Sequence, residues 1–302
     1  MIKLRRIALI FIIIFSVSNS FACDICGCSS GNYFIGTFPL FRKHFMGLRY
    51  TFRSFRSRLA TDNTQFSNDF YQTTEIWGGF NVGRKWQIIG FIPYNINKQI
   101  SDDGVQQNSG LGDITLIANY KLFDKRNGNK HGKMVSQQLW IGGGLKLPTG
   151  KFNVAAAEII HSANDQAGTG SLDYILNTMY TLHINDWGIN SSINYKVNGS
   201  ANTYRFGNRL SASSFVFHSL SAKKATFNPN AGLLYEELDA NRLNRVKVAD
   251  TGGYTFLASA GLDLIFRKLA VGFNLQAPFA QRLSNDQTNA RFRGMAHITM
   301  LL

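Results

Sequence analysis

Apolar and polar side chains take turns along most of this chain. From Leu111 to Phe123, the residues Gly112, Ile114, Leu116, Ala118, Tyr120 and Leu122 fall on one side, and Asp113, Thr115, Asn119 and Lys121 on the other, with Ile117 out of step. From Trp187 to Asn198, Trp187, Ile189, Ser191, Ile193, Tyr195 and Val197 oppose Gly188, Asn190, Ser192, Asn194, Lys196 and Asn198. A period of two belongs to the β-strand, whose successive side chains point to opposite faces. The same alternation runs through 46–53, 172–183, 254–264, 269–276 and 291–302. It predicts about twelve strands, near 43–57, 70–80, 85–97, 110–123, 135–147, 171–184, 187–198, 204–221, 226–236, 253–266, 269–277 and 291–302.

A soluble sandwich alternates too, but two features place these strands in a membrane. Many segments reach about ten residues or more, the length of a tilted transmembrane strand. The connections also alternate in length. They are tight at Asn81–Arg84, Asn185-Asp186, Ala222–Lys224 and Arg267-Lys268, and long and polar at 58–70, 98–110, 148–170, 236–252 and 278–290. The polar stretch Asp124–Met134 is a longer connection on the short-turn side. Short turns at one end and long loops at the other are the outer-membrane pattern, and closure removes the strand edges that a bilayer would not tolerate. The expected fold is all-β: a transmembrane antiparallel up-and-down β-barrel of about twelve strands over residues 43–302, with both ends in the periplasm. Its greasy side faces lipid and its polar side encloses water.

The N-terminus sets the compartment. Lys3, Arg5 and Arg6 precede an apolar run, Ile7–Val17, and Ser20 and Ala22 are the small residues at −3 and −1 of a cut after Ala22. This predicts a cleaved secretory signal peptide over 1–22, the apolar run being shorter than the roughly 20 residues of a spanning helix. Residues 23–42 then form a Cys-containing periplasmic segment, and the chain is expected in the outer membrane of a Gram-negative bacterium. Lipoprotein processing with acylation of Cys23 is the other reading, although Ser20 and Phe21 match a lipobox poorly.

Composition agrees with a barrel. Charged residues make up 17% of the chain and aromatics 13%, against a usual quarter for charge, which suits an aromatic girdle around a wet interior. Trp77, Trp86, Tyr94, Tyr120, Phe123, Tyr180, Trp187 and Tyr204 fall near predicted strand ends, where amphipathic rings meet the membrane boundary. The net charge of +14 would suit nucleic acid in a cytoplasmic protein. An exported chain meets lipopolysaccharide and anionic solutes instead.

Several glycine-rich motifs follow one another: Gly110-Leu-Gly-Asp-Ile114 before Tyr120-Lys-Leu122, Gly142-Gly-Gly-Leu-Lys-Leu-Pro-Thr-Gly150, Gly168-Thr-Gly-Ser-Leu-Asp173, then Tyr195 and Tyr204-Arg-Phe-Gly-Asn208. Glycine there supplies turn conformations and close backbone approach, so the motifs are read as barrel geometry rather than chemistry. Their order resembles the outer-membrane transporter-like β-barrel family named after the meta-cleavage pathway of phenol degradation, over roughly residues 43 to 302. The resemblance implies an outer-membrane barrel that passes small molecules. The N-terminal cysteines are similar to those of a Bacteroidetes-type branch.

The first candidate site is the lumen-facing charged set: Arg49, Arg53, Glu75, Asp113, Lys121, Asp173, Lys196, Asp263, Arg291 and Arg293, with Lys146, Arg205 and Arg209. Buried charges need partners or water, and a barrel interior offers both. One reading is a path favouring small polar or anionic solutes; the other is an ion-pair network that stiffens a closed, structural or surface-binding barrel. The second candidate is Cys23-Asp-Ile-Cys26-Gly-Cys28. Its three thiolates, with Asp24 or His44, would suit Cu(I) or Zn(II) in a metal-handling barrel. A disulfide or a lipid on Cys23 are the rival uses. The third is loop Lys151–Gly170, where Glu158 and His161 are spaced i, i+3; a cap or constriction is its simpler use. No nucleophile–base motif or phosphate loop is present, so a non-enzyme is expected. Its expected partners are outer-membrane lipid, lipopolysaccharide, the barrel-assembly machinery and a small solute, and it is expected to be a monomer.

Overall fold

The computed structural model describes residues 43–58, 65–102, 104–128, 134–153 and 163–302. Its strands in chain order are β1 (Phe45–Arg58), β2 (Phe66–Val82), β3 (Trp86–Ser101), β4 (Gly104–Leu111), β5 (Thr115–Gly128), β6 (Met134–Lys146), β7 (Asp173–Ile184), β8 (Trp187–Val197), β9 (Tyr204–Arg205), β10 (Arg209–His218), β11 (Leu220–Ser221), β12 (Ala225–Leu238), β13 (Arg242–Leu243), β14 (Val246–Lys247), β15 (Gly253–Phe266), β16 (Leu269–Leu283) and β17 (Thr288–Leu301). Twelve of them are the staves of a closed antiparallel barrel. The order round the wall is β1, β2, β3, β5, β6, β7, β8, β10, β12, β15, β16, β17, and β17 pairs back onto β1. β4 prolongs the β5 stave along the upper part of β3. β9, β13 and β14 form a small separate sheet among the loops.

The alternation sorts the staves as a transmembrane barrel requires. Leu48, Ile76, Leu176, Ile193 and Phe273 are exposed on the outer face, while Gln87, Asn119, Asp173 and Thr299 are fully buried within. A water-soluble sheet would show the reverse. With every stave paired on both sides, the backbone hydrogen bonds are satisfied inside the wall, and this lets strands cross lipid. Among the described residues no helix is long and apolar enough to cross a membrane.

Three expectations about the loops and rings change. Residues 278–290 are not a long loop: β16 and β17 run into this stretch and meet at a 3-10 turn, Ser284–Asp286. The polar stretch 98–110 is mostly a β3–β4 hairpin, pairing Asn97 with Asn108 and Lys98 with Gln107. Polar side chains mimic a loop in sequence, yet their backbone can pair in the ladder wherever water bathes both faces. Trp77 and Tyr204 are buried, not in the girdle. Trp77 shares the inward register of Glu75, and Tyr204 packs beneath the loops with Ala163 and Phe206. Trp86, Tyr94 and Trp187 are exposed on the outer face as expected.

Inward glycines give the interior its shape. A Cβ on Gly142 would come within 2.1 Å of Asn119 Oδ1 and 2.3 Å of Asn177 Oδ1. The missing side chain lets Asn177 donate to Asn119 at 2.9 Å over the intervening β6 stave. Gly272 does the same for Asp263 and His297 across β16.

Candidate functional site

The barrel interior divides by height and by wall. Near the short-turn end, Phe45, Trp77, Ile89, Phe91, Ile117, Trp140, Ile175, Met179 and Leu301 form one apolar cluster, carried mainly by β1 to β7. Arg49 lies over Trp77 and Phe91, at 5.2 and 5.3 Å from the ring centroids. Its Nε reaches Glu75 Oε1 directly across the β1–β2 pair at 2.5 Å. The aromatic rings shield this ion pair on one side, and the cation takes part in both interactions.

On the β5–β8 wall, four buried charges form a chain. Lys146 Nζ lies 2.7 Å from Asp113 Oδ2 and 2.9 Å from Asp173 Oδ2, and Lys196 Nζ lies 3.7 Å from Asp173 Oδ2. The alternation puts Lys146, Asp173 and Lys196 inward at neighbouring heights on three adjacent staves, while Asp113 sits in the break between β4 and β5. Lys146 also donates to Thr169 Oγ1. Asp113 accepts the Thr169 N–H at 2.9 Å and the Gly150 N–H at 2.9 Å, and Asp173 accepts Ser171 Oγ–H at 2.7 Å and the Gly199 N–H at 3.0 Å. These carboxylates therefore bind loop backbone as well as lysine.

The loop they hold turns into the barrel. Ala163, Asn164, Gln166, Ala167, Thr169 and Ser171 are all buried. Asn95 Nδ2 donates to Ala167 O at 2.8 Å, Asn97 Nδ2 to Asp165 O at 3.0 Å, and Tyr71 Oη to Asp165 Oδ1 at 3.2 Å. The donors come from the inward faces of β2 and β3, so segment 163–171 lies against the inner wall at the long-loop end. Gly150 and Gly168 touch backbone to backbone, since a Cβ on Gly168 would meet Gly150 C at 2.5 Å. Any larger residue would push the segment off the wall.

The β12–β17 wall uses charge differently. Arg293 of β17 forks onto Glu236 of β12, with Nη1–Oε1 at 2.8 Å and Nη2–Oε2 at 3.0 Å. The two strands are not neighbours, as β15 and β16 stand between them, so this bidentate pair is a chord across the interior. Arg53 is the direct cross-strand partner of Arg293. Lower down, His297 Nε2 lies 3.1 Å from Asp263 Oδ1, and Asn230 donates to Asp263 at 3.2 Å.

Of the charged residues predicted to face the lumen, Arg49, Arg53, Glu75, Asp113, Asp173, Lys196, Asp263 and Arg293 are buried inside, as is Lys146. Lys121 is half-buried at the short-turn rim, over Trp140 at 5.0 Å. Arg291 departs from the expectation and is exposed. The ladder passes from Ser54–Phe292 to Phe55–Ala290, leaving Arg291 as the extra residue of a bulge, which breaks the alternation. Alternation alone did not pick out Glu236, Asn95, Asn97 or Thr169. The first three sit at or near predicted strand ends, and the last lies in a loop.

Cys23, Cys26, Cys28, Asp24, Glu158, His161 and residues 1–22, where a leader is predicted, lie outside the described residues. His44 accepts the Asn81 N–H at Nδ1 (3.0 Å) and stacks on Phe80. Among the described residues no group of three His, Cys, Asp or Glu side chains is arranged to hold a metal.

Residues 51–293 match the family described as "putative MetA-pathway of phenol degradation". An outer membrane channel from Pseudomonas putida F1 superposes with a TM-score of 0.59 at 14% identity, over 86% of this chain and 96% of its own. That likeness is one of fold: an outer-membrane barrel. The β domain of the Bordetella autotransporter BrkA covers 86% of this chain and 100% of its own, at 12% identity and a TM-score of 0.49. No curated protein matches the chain.

Proposed function

This chain belongs to the family described as putative MetA-pathway of phenol degradation, and we propose that it is an outer-membrane channel for a small polar or anionic solute. The observation that carries this reading is the inward-turned segment 163–171, held on the inner wall by Asn95, Asn97 and Asp113. A structural barrel needs no loop inside its mouth, whereas a channel needs a constriction that sets what passes. The cations near that level, Arg53 and Arg293, with Lys196 on the opposite wall, offer a passing anion charge that Glu236 and Asp173 only partly offset. The outer-membrane fold supports the location, and diffusion through the lumen requires no energy source.

Planar-bilayer recording with purified protein tests the proposal. The expected result is small, discrete conductance steps with anion preference. A folded barrel that never conducts would refute it. The aromatic cluster at the short-turn end supports a second reading, a closed structural or surface-binding barrel, because Phe45, Trp77, Phe91 and Trp140 are each only 2% exposed and pack the interior at that level. Absence of both conductance and solute flux into vesicles, from a barrel shown to be folded, would favour that reading over the first.

A further inference from the structure

The short-turn rim carries a cavity at the end of the barrel opposite segment 163–171. β3 begins at Trp86, whose ladder partner is Tyr120, and the Lys121 N–H donates to Lys85 O at 2.7 Å. Beyond that point β5 is paired, among the described residues, only with β6, and a bulge falls between Lys121 and Phe123. The β5–β6 hairpin therefore projects past the rim beside the β2–β3 turn. Between them lies a cavity of about 790 Å³ lined by Arg84, Lys85, Lys121 and Arg126 against one carboxylate, Asp124.

That carboxylate is shared. Lys121 Nζ lies 3.4 Å from Asp124 Oδ2 and Arg126 Nε lies 3.7 Å from Asp124 Oδ1. Lys85 Nζ donates to a neutral group there, Tyr120 Oη, at 3.3 Å. Exposed strand edges commonly carry lysines that prevent pairing with other chains. Such guards point separately into solvent; here four cations converge on one concavity. Lys121 is also set over the Trp140 ring, with its side chain only 16% exposed. A low-dielectric wall behind an ammonium strengthens its pull on an anion. Asn81 adds an amide, and Trp86 stands at the lipid-facing lip.

We propose that this cavity binds a phosphate group, held by the Lys121 ammonium and the Arg126 guanidinium and enclosed by Arg84 and Lys85. Guanidinium and ammonium donors match phosphate oxygens in charge and geometry. The short-turn end of an outer-membrane barrel faces the periplasm. There the group has two sources, the headgroup of an anionic phospholipid in the adjacent leaflet or a free organic phosphate. The site stands whether or not the barrel conducts.

Calorimetric titration of the barrel in neutral detergent with glycerol 3-phosphate reads the free source. Native mass spectrometry with added phosphatidylglycerol, against phosphatidylcholine, reads the lipid source. The K121Q/R126Q double variant should bind at least about tenfold more weakly, since both charge-assisted contacts to the phosphate are lost. Binding should also fall as salt rises. R84Q/K85Q, on the exposed turn, supplies a second variant if the first does not fold, folding being checked by heat-modifiable electrophoretic mobility. Binding of glycerol 3-phosphate that these changes weaken assigns a free ligand. Selective retention of phosphatidylglycerol that they weaken assigns a lipid. Absence of both, or equal binding by wild type and folded variants, overturns the site.

Discussion

The two walls of the barrel interior handle buried charge in opposite ways. On the β5–β8 wall, Asp113 and Asp173 divide their oxygens between lysines and loop backbone, so the ion pairs fix segment 163–171 and the turn at Gly199. On the β12–β17 wall, Glu236–Arg293 and Asp263–His297 join stave to stave. The first wall spends charge on positioning a mouth, the second on bracing a cylinder. Removing a charge should therefore loosen a loop in one case and alter stiffness and selectivity in the other.

The largest expected effect is on the loop-holding wall. Lys146→Ala leaves two buried carboxylates without their shared cation, and should cost about 3–5 kcal/mol, the usual penalty for breaking a buried pair. Urea unfolding in micelles measures it, and a loss below about 1 kcal/mol would mean that water already screens the pair. Glu236→Ala removes the cross-lumen chord and leaves Arg293 buried without its bidentate partner, an expected loss of about 3 kcal/mol, the lower end of the same range. It should also raise anion preference, because Arg53 and Arg293 lose their nearby carboxylate; unchanged reversal potentials would count against that reading. Gly142→Ala drives a methyl between Asn119 and Asn177 and should destabilise by about 1–3 kcal/mol, with no change in selectivity. The smallest effect belongs to Arg291→Glu. On its exposed bulge it should shift stability by no more than about 0.5 kcal/mol and leave ion selectivity alone, whereas Arg293→Glu should move it.

Much of this architecture is legible in the alternation. A period of two assigned Arg49, Glu75, Asp173, Lys196 and Asp263 to the inner face because each keeps strict register with apolar neighbours on the other face. It failed where register slips or side-chain polarity stops reporting burial. One bulge turned Arg291 outward. Strands that run beyond the hydrocarbon are polar on both faces, so 98–110 and 278–290 read as loops, and Glu236 fell at an apparent strand end. The inward course of 163–171 was least legible. It depends on Asn95, Asn97 and Thr169, ordinary polar residues whose partners lie about 70 or 55 residues away in the chain. The glycine motifs did signal close approach, but only the structure shows that Gly142 opens a gap in mid-strand rather than making a turn.

Single-channel conductance of N95A/N97A against wild type, in barrels shown to be folded, tests whether segment 163–171 narrows the path. Both substitutions remove donors to the segment's carbonyls and leave every charge in place. A clear rise in unit conductance with selectivity retained is the predicted result. Identical conductance in the two proteins would contradict it, and would leave the segment as packing rather than a constriction.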